Sequence, residues 1–277
     1  MYVALFVVVV ILALLLGRIP SAAHVDFEAG ATESGPDLSA NAIESSPEPE
    51  LRSDTSGLYL IIDDVGNNLS ALADYLDLQI DITFAVLPGR RHTVESVRRI
   101  REAGQAVILH QPMEPVGAAD PGFGALYTGM SLDEVAKTID ENLAKLPDIK
   151  GINNHMGSLA TSDSLVMNHL MSVLADRDMF FIDSVTTGKS VAASAAFEFG
   201  VQFARRSARF LDNIDEASLV LEALESGLEV AREEGDSILI GHVQSASLAE
   251  LLRQHASAFE GRGYAFRHVS EYPSFSE

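Results

Sequence analysis

The chain of 277 residues contains no cysteine and no tryptophan. The absence of cysteine excludes a disulfide framework, a cysteine-ligated zinc or iron–sulfur site and a thiol nucleophile. Any metal ion bound by side chains must therefore be held by histidine, aspartate or glutamate. The chain has 8 histidines and 40 acidic residues to supply such ligands.

Basic residues are also scarce, because 19 Lys and Arg stand against 40 Asp and Glu and give a formal net charge of −21. Proteins that bind nucleic acids neutralise phosphates with clustered Lys and Arg, so this composition argues against a nucleic-acid partner. Hydrophobic residues make up 47% of the chain. That fraction is sufficient for a packed core and excludes a wholly disordered protein.

The first 20 residues are predicted to be a membrane anchor or a signal segment. Tyr2 to Leu16 is an unbroken apolar run, shorter than the roughly 20 residues that span a bilayer core. Its length is typical of a signal-peptide hydrophobic region, and the small residues Ser21, Ala22 and Ala23 follow it. No Lys or Arg precedes the run, which the positive-inside rule does not favour. A retained anchor, a cleaved signal and a buried segment all stay open.

Residues 21–56 are predicted to form an acidic, disordered linker. Between His24 and Ser56, eight acidic residues face a single arginine, Arg52. Such a segment buries too little apolar surface to offset the entropy of ordering it. An apolar N-terminus followed by a tether predicts a protein of the cell envelope, periplasmic or extracytoplasmic, that is either anchored to the membrane or secreted.

In residues 57–277 predicted strands and helices alternate regularly. The predicted strands are Leu58–Asp63, Ile82–Pro88, Ala106–Gln111, Gly151–His155, Met179–Asp183, Val201–Ala204, Ser237–His242 and Tyr264–Val269. The predicted helices are Leu69–Leu78, Thr93–Ala103, Leu132–Leu146, Ser164–Arg177, Asp215–Glu234 and Ser247–Phe259. The strands are continuous apolar runs, as expected when both faces of a parallel sheet are covered. About eight strands in about 215 residues, alternating with helices, predict an α/β fold, a compact (β/α) barrel.

Polar residues recur where the apolar strands end. These strand-end residues are Asp63, Asp64, His110, Asn153, Asn154, His155, Asp183, Ser184 and His242. The carboxyl ends of parallel strands lie on one face of a sheet or barrel, and that face carries the site. Residues separated by about 180 positions are therefore expected to converge.

Six segments resemble, in order, the motifs of the divergent polysaccharide deacetylase family: IIDDVG, LHQPMEP, GINNHMGS, FFIDSVTT, RFLDN and IGH. That family is a remote branch of the NodB-type carbohydrate esterases, and the resemblance covers essentially Leu58 to Ser270. It implies a distorted (β/α) barrel with mostly parallel strands and the metal-dependent removal of N-acetyl groups from a polysaccharide. It also implies a divalent metal ion, with zinc expected, and an N-acetylated glycan such as peptidoglycan as the partner.

The resemblance also implies roles for the first strand-end residues. The NodB-type DD motif supplies a catalytic base and then a metal ligand, so Asp63 resembles the base and Asp64 the ligand. The second NodB-type motif is a pair of metal-binding histidines four residues apart. His110 matches the first histidine, whereas Glu114 stands at the second position. His155, from the next strand, is then the expected third ligand, with Glu114 as the alternative.

The later motifs imply the remaining roles. IGH resembles the motif whose histidine acts as general acid, which assigns that role to His242, and Asp183 is expected to orient its imidazole. Asn153 and Asn154 are expected to bind sugar hydroxyls, to support the metal ligands, or to cap local backbone. Glu114, Met113 and Arg206 complete the set expected to contact the substrate or support the site.

The long stretch from Met113 to Gly129 is expected to be a lid or a substrate wall. Its aromatic residues Phe123 and Tyr127 either stack on a sugar or anchor the loop, and anchoring is the favoured interpretation.

Two other functions remain open from the sequence. One is a non-catalytic envelope protein that keeps the fold and binds a metal or a glycan, since Glu114 replaces a histidine. The other is a metal-dependent amidohydrolase acting on a peptide or small amide.

Overall fold

Strands and helices alternate throughout residues 55–275, which the computed structural model describes. The strands are β1 (Ser56–Val65), β2 (Thr83–Val86), β3 (Ala106–Met113), β4 (Gly151–Met156), β5 (Phe180–Asp183), β6 (Phe203–Arg205), β7 (Asp236–His242) and β8 (Tyr264–Phe266). The α-helices are α1 (Leu69–Leu76), α2 (Thr93–Glu102), α3 (Leu132–Leu143), α4 (Ser164–Ala175), α5 (Ala192–Phe199), α6 (Ala217–Glu234) and α7 (Ala246–Gly261). Short 3-10 helices span Ala160–Ser162, Val269–Glu271 and Pro273–Phe275.

All of these strands pair in parallel, in the order β6-β5-β4-β3-β2-β1-β7, and β8 pairs with the start of β1. The segment after β6 bridges to β7. The backbone N–H of Ser207 donates to the carbonyl of Ile238, and that of Leu211 donates to the carbonyl of Ile240, both at 2.9 Å. The result is a nearly closed (β/α) barrel, which confirms the predicted fold class.

The two-residue period of each strand sorts its side chains into two hydrophobic cores. In β1, Leu58, Leu60 and Ile62 pack in the larger core with residues from the helices. Tyr59 and Ile61 belong to the smaller core inside the barrel. In β7, Ile238 and Ile240 likewise face the interior, whereas Leu239 belongs to the outer core. The parity of a residue within its strand therefore decides which face it can reach.

The structure departs from the predicted elements mainly between β5 and β6. Helix α5 was not predicted, because it is short and rich in alanine and has no side-chain cap at its start. It ends at Gly200, which adopts a left-handed conformation with φ of 67°. The following strand β6 begins two residues later than predicted.

The predicted anchor or signal segment, and all but the last two residues of the predicted linker, lie outside the described residues. From residue 55 to residue 275, no helix is both long and apolar enough to cross a bilayer.

Candidate active site

The inward parity of three strands places polar side chains at one end of the barrel. Asp63 follows Tyr59 and Ile61 on the interior side of β1, and His242 follows Ile240 on β7. His110 has the parity of the interior residue Ile108. Since these three residues stand at the carboxyl ends of their strands, the fold brings them to the same end of the barrel.

Asp64 reaches the same site because its backbone breaks the alternation of β1. Its φ is 63°, in the left-handed region that a non-glycine residue seldom adopts. Aspartate is among the residues that tolerate this conformation best. The break allows two consecutive aspartates to contribute to one site, although a regular strand would direct them to opposite faces.

Asp64, His110 and His155 form a compact cluster of ligand atoms. Asp64 Oδ1 lies 3.0 Å from His155 Nδ1 and 3.3 Å from His110 Nε2. The two imidazole nitrogens lie 3.2 Å apart. Within the described part of the chain, these three residues are the group that can hold a metal ion, and they are the three predicted ligands.

The donor set fits a divalent cation. Asp64 Oδ1 is buried and makes no hydrogen bond within residues 55–275, so a polar atom is left without the partner that burial demands. Two ligands bound to one ion in a tetrahedron, each at about 2.0–2.1 Å, stand about 3.3–3.4 Å from each other. The observed separations are close to that edge length. Two imidazoles and one carboxylate are a ligand set that zinc accepts.

Asn153 links the predicted base to a predicted ligand. Its Oδ1 lies 2.7 Å from His110 Nδ1 and its Nδ2 donates to Asp63 Oδ1 at 2.7 Å. Because the amide oxygen accepts only, Nδ1 of His110 carries the proton and leaves Nε2 with a lone pair directed at the cluster. Of the interpretations of Asn153 open from the sequence, the contacts favour support of the metal ligand.

Asp63 is almost completely buried, with 2% of its surface exposed. Burial raises its pKa, while the neighbouring His110 and His242 and the hydrogen bond from Asn153 oppose that rise. Asp64 is shifted in the opposite direction. Although burial opposes its charge, the adjacent imidazoles of His110 and His155 hold the pKa of Asp64 well below its usual range. The two consecutive carboxyl groups thus differ in their affinity for a proton.

His242 is paired with Asp212, which lies in the RFLDN motif. Asp212 Oδ1 lies 2.8 Å from His242 Nδ1, and its Oδ2 accepts from the backbone N–H of His242 at 2.7 Å. Burial disfavours the imidazolium, but the hydrogen bond and charge of Asp212 outweigh it and raise the pKa of His242 to about 9. The ring of Phe210 lies beside His242, with ring centroids 5.2 Å apart.

The expectation that Asp183 orients His242 is wrong. In β5, Ile182 faces the barrel interior and Phe181 faces the outer core, so Asp183 has the outward parity. Its Oδ1 accepts from the backbone N–H of Val185 at 2.8 Å. Val185 has a φ of 51°, which is a strained conformation for a β-branched residue. Asp183 therefore stabilises the turn after β5.

Asp212 was assigned no role from the sequence. It follows the segment from Ser207 to Leu211, which pairs with β7 irregularly. The sequence of this segment has no strand periodicity that would predict where the Asp212 side chain points. Its position in a motif of the resembled family is the signal that could have identified it.

The other predicted site residues make contacts outside the cluster. Glu114, the alternative ligand, instead accepts from the backbone N–H and hydroxyl of Thr128 at 2.8 and 2.7 Å. Met113 is fully buried in the outer core, so the expected contact with a substrate is wrong for this residue. Asn154 accepts from the Ser184 N–H and donates to the Met156 carbonyl, both at 2.8 Å. Of the roles expected for Asn154, these contacts favour the capping of local backbone groups.

Arg206 joins the segment after β5 to the segment after β6. Its guanidinium donates to the backbone carbonyls of Ser184, Val185 and Ala208. It also lies 4.0 Å from the ring centroid of Phe210, which in turn contacts His242. Arg206 thus packs on the ring that lies beside His242.

The chain is similar to a known family and to several known proteins. A model of the divergent polysaccharide deacetylase family matches residues 60–272. An uncharacterised protein of Haemophilus influenzae is 35% identical over 196 residues, which cover 71% of this chain and 70% of that protein. The uncharacterised protein YibQ of Escherichia coli is 32% identical over 194 residues, covering 70% of this chain and 60% of YibQ. The crystal structure of an uncharacterised Agrobacterium tumefaciens protein has the same fold, with a TM-score of 0.74 at 18% identity, and the match covers 81% of this chain and 91% of that one.

Proposed function

Since the chain belongs to the divergent polysaccharide deacetylase family, we propose that it is a metal-dependent hydrolase that removes N-acetyl groups from an envelope polysaccharide. The observation that carries this proposal is the site at the carboxyl ends of the strands. There, a cluster of Asp64, His110 and His155 adjoins a buried carboxyl group and a paired imidazole.

The three ligand residues would hold the metal, for which zinc is the proposed ion. A divalent ion at this position supplies Lewis acidity, which polarises an amide carbonyl and lowers the pKa of a water molecule. Asn153 keeps the Nε2 lone pair of His110 directed at the cluster by accepting the proton of Nδ1.

Asp63 is the proposed general base. Asn153 fixes one of its oxygens, and the other oxygen takes no hydrogen bond from the described side chains. That second oxygen is available to accept the proton that the attacking water releases. Its burial favours proton uptake, because burial raises the pKa of the carboxyl group.

His242 is the proposed general acid. Amide hydrolysis ends with the departure of an amine, which must receive a proton as the carbon–nitrogen bond breaks. Asp212 holds Nδ1 of the ring and keeps the imidazole protonated at neutral pH, since the pKa of His242 is about 9. Nε2 is then left to deliver its proton to the leaving nitrogen.

An extracytoplasmic glycan is the proposed substrate. The apolar N-terminal run and the acidic segment that follows it support a location in the cell envelope, where peptidoglycan and other N-acetylated polysaccharides occur. A non-catalytic glycan-binding protein would need neither the base nor the paired acid, so the contacts of Asp63 and His242 favour the enzyme.

The decisive experiment measures acetate release from chitooligosaccharides and peptidoglycan by the zinc-loaded protein. The matched control is Asp63→Asn, which keeps the shape of the side chain and removes the base. Release by the wild-type protein that falls by at least 100-fold in Asp63→Asn is expected, since general base catalysis contributes about 10²–10⁴-fold. Absence of release from every substrate, or equal release by the control, would favour the non-catalytic function.

A further inference from the structure

Arg90 is a cation beside the metal cluster that none of the proposed catalytic steps uses. It lines a cleft of about 310 Å³ together with Asp64 and His155, and with the polar side chains Asn67 and Gln244. Gln244 Nε2 also donates to Asp64 Oδ2 at 3.1 Å. The cleft therefore joins the proposed reaction centre to a region whose permanent positive charge comes from Arg90.

The guanidinium of Arg90 has no anionic partner among residues 55–275. Its Nε is buried and makes no hydrogen bond, and no described carboxylate lies within ion-pair distance of its nitrogens. Arg98 on α2 shows the usual alternative, since it pairs with Glu95 and Glu102 at 2.7 and 2.6 Å. A half-buried guanidinium without a partner is costly, because burial removes water and returns no hydrogen bond.

The surrounding loops hold Arg90 in place. Its backbone N–H donates to Thr93 Oγ1 at 2.9 Å, and Thr93 Oγ1 donates to the Leu87 carbonyl at 2.7 Å. A Cβ on Gly122 would lie 2.7 Å from Nη2 of Arg90, so the guanidinium lies against the backbone of the long loop that follows β3 and extends to Gly129. Gly66, two residues after Asp64, leaves similar room for the Cβ of Arg90. The side chain is thus fixed between the two loops at the cleft.

We infer that Arg90 binds a carboxylate of the substrate, which makes an acidic glycan the substrate class of this site. The inference rests on the proposed function and adds the chemical character of the sugar. A planar guanidinium matches a carboxylate with two parallel hydrogen bonds. In a chain with a net charge of −21, a local cation is also what allows a negatively charged polymer to approach.

A sugar carboxylate has two sources with the same chemistry, the lactyl ether of a muramic-type residue and a uronic acid. Three N-acetylated tetrasaccharides distinguish them: neutral chitotetraose, a peptidoglycan glycan strand freed of its peptides, and a hyaluronan fragment. Dissociation constants are measured by calorimetry at low salt with zinc-loaded protein carrying Asp63→Asn, so that the ligands are not consumed. The same titrations are repeated after adding Arg90→Gln, Arg90→Lys or Arg91→Gln.

At least one acidic tetrasaccharide is expected to bind about 10-fold or more tightly than chitotetraose, in keeping with a charge-assisted bidentate contact. Arg90→Gln is expected to reduce that ratio to within about twofold. Arg90→Lys should keep part of the preference, because it keeps the charge. The neighbouring Arg91, which is exposed, is the matched control, and Arg91→Gln should leave the ratio unchanged.

Equal binding of the neutral and acidic ligands, or a preference that survives Arg90→Gln, would overturn the inference. Failure of the proposed function gives a different result. In that case the wild-type protein releases no acetate from any of the three ligands, while the Arg90-dependent binding preference persists. Acetate release from chitotetraose without any acidic preference would support the deacetylase and reject the role of Arg90.

Discussion

Asp212 contacts His242 twice, through the ring nitrogen Nδ1 at 2.8 Å and through the backbone N–H at 2.7 Å. The bridge from Ser207 to Leu211, which closes the barrel against β7, places the next residue, Asp212, beside His242. Closure of the fold and orientation of the proposed acid are therefore achieved by the same segment.

The first prediction concerns the proton affinity of His242. In Asp212→Asn the pKa of His242 is expected to fall from about 9 towards its ordinary value of about 6.5, because the charge that favours the imidazolium is lost. Titration of the imidazole nitrogens by NMR in zinc-free protein measures the change. An unaltered pKa would show that Asp212 does not control the proton of His242.

The same pair predicts how stability depends on pH. A pKa raised in the folded state contributes stability that is fully present below the unfolded value of about 6.5 and is lost as pH rises through about 9. Asp212→Asn should therefore be less stable than wild type by up to about 3 kcal/mol near pH 6. The difference should shrink steadily between pH 6.5 and 9. Urea unfolding of the zinc-free proteins across this range measures it.

Asp183→Asn is the matched test of the corrected assignment. Asp183 accepts from the N–H of Val185, and in residues 55–275 the carboxylate hydrogen-bonded to the His242 ring is that of Asp212, so replacing Asp183 should leave the pKa of His242 unchanged. It should lower the free energy of unfolding by no more than about 1 kcal/mol, because the amide oxygen of asparagine can still accept from the Val185 N–H and only the negative charge is lost. A pKa shift as large as that in Asp212→Asn would restore Asp183 as the orienting residue.

Another prediction concerns the metal ligands. His110→Ala and His155→Ala should each abolish stoichiometric zinc, because each removes one of three ligands from the cluster. Glu114→Ala should keep zinc, since Glu114 is bound to Thr128 in the long loop. The zinc content of each variant after dialysis, measured by mass spectrometry, tests this prediction. Retained zinc in His155→Ala together with its loss in Glu114→Ala would reverse the assignment.

Two adjacent asparagines give a further prediction. Asn153 hydrogen-bonds the side chains of His110 and Asp63, whereas the hydrogen bonds of the Asn154 side chain within residues 55–275 go to backbone groups of Met156 and Ser184. Asn153→Ala should weaken zinc binding by about 10–100-fold, as is usual for residues that orient a metal ligand. Asn154→Ala should destabilise the fold with little change in zinc affinity. Competition with a chelator of known affinity measures the zinc affinity of each variant. An equal loss of zinc affinity in the two variants would show that Asn153 and Asn154 do not differ in their support of the metal site.

The barrel and most of its site could be predicted from the sequence because they follow from regular patterns. Apolar strands ended by Asp63, His110, His155 and His242 show where the carboxyl ends meet. Asp183 was misassigned because its strand end looks like the others. Only the alternation in β5, with Ile182 inward and Phe181 outward, shows that it points elsewhere. Asp212 lies outside the helices and strands, so no periodicity predicts its partner. It reaches His242 because the preceding segment pairs with β7 and closes the barrel.

The last prediction tests how the long loop is anchored, since Phe123 packs on Gly89 in the loop after β2. A Cβ on Gly89 would lie 2.5 Å from the Phe123 ring, whereas a Cβ on Gly104 would meet nothing within 4 Å. Both glycines have positive φ, 65° and 75°, so an alanine at either position bears a similar backbone strain. Gly89→Ala should therefore destabilise the protein by about 1–3 kcal/mol more than Gly104→Ala, the typical cost of overpacking. Phe123→Ala in the Gly89→Ala background should recover part of that excess, because it removes the clashing ring. Urea unfolding measures all three variants, and equal losses for the two glycine variants would show that Phe123 does not anchor the loop.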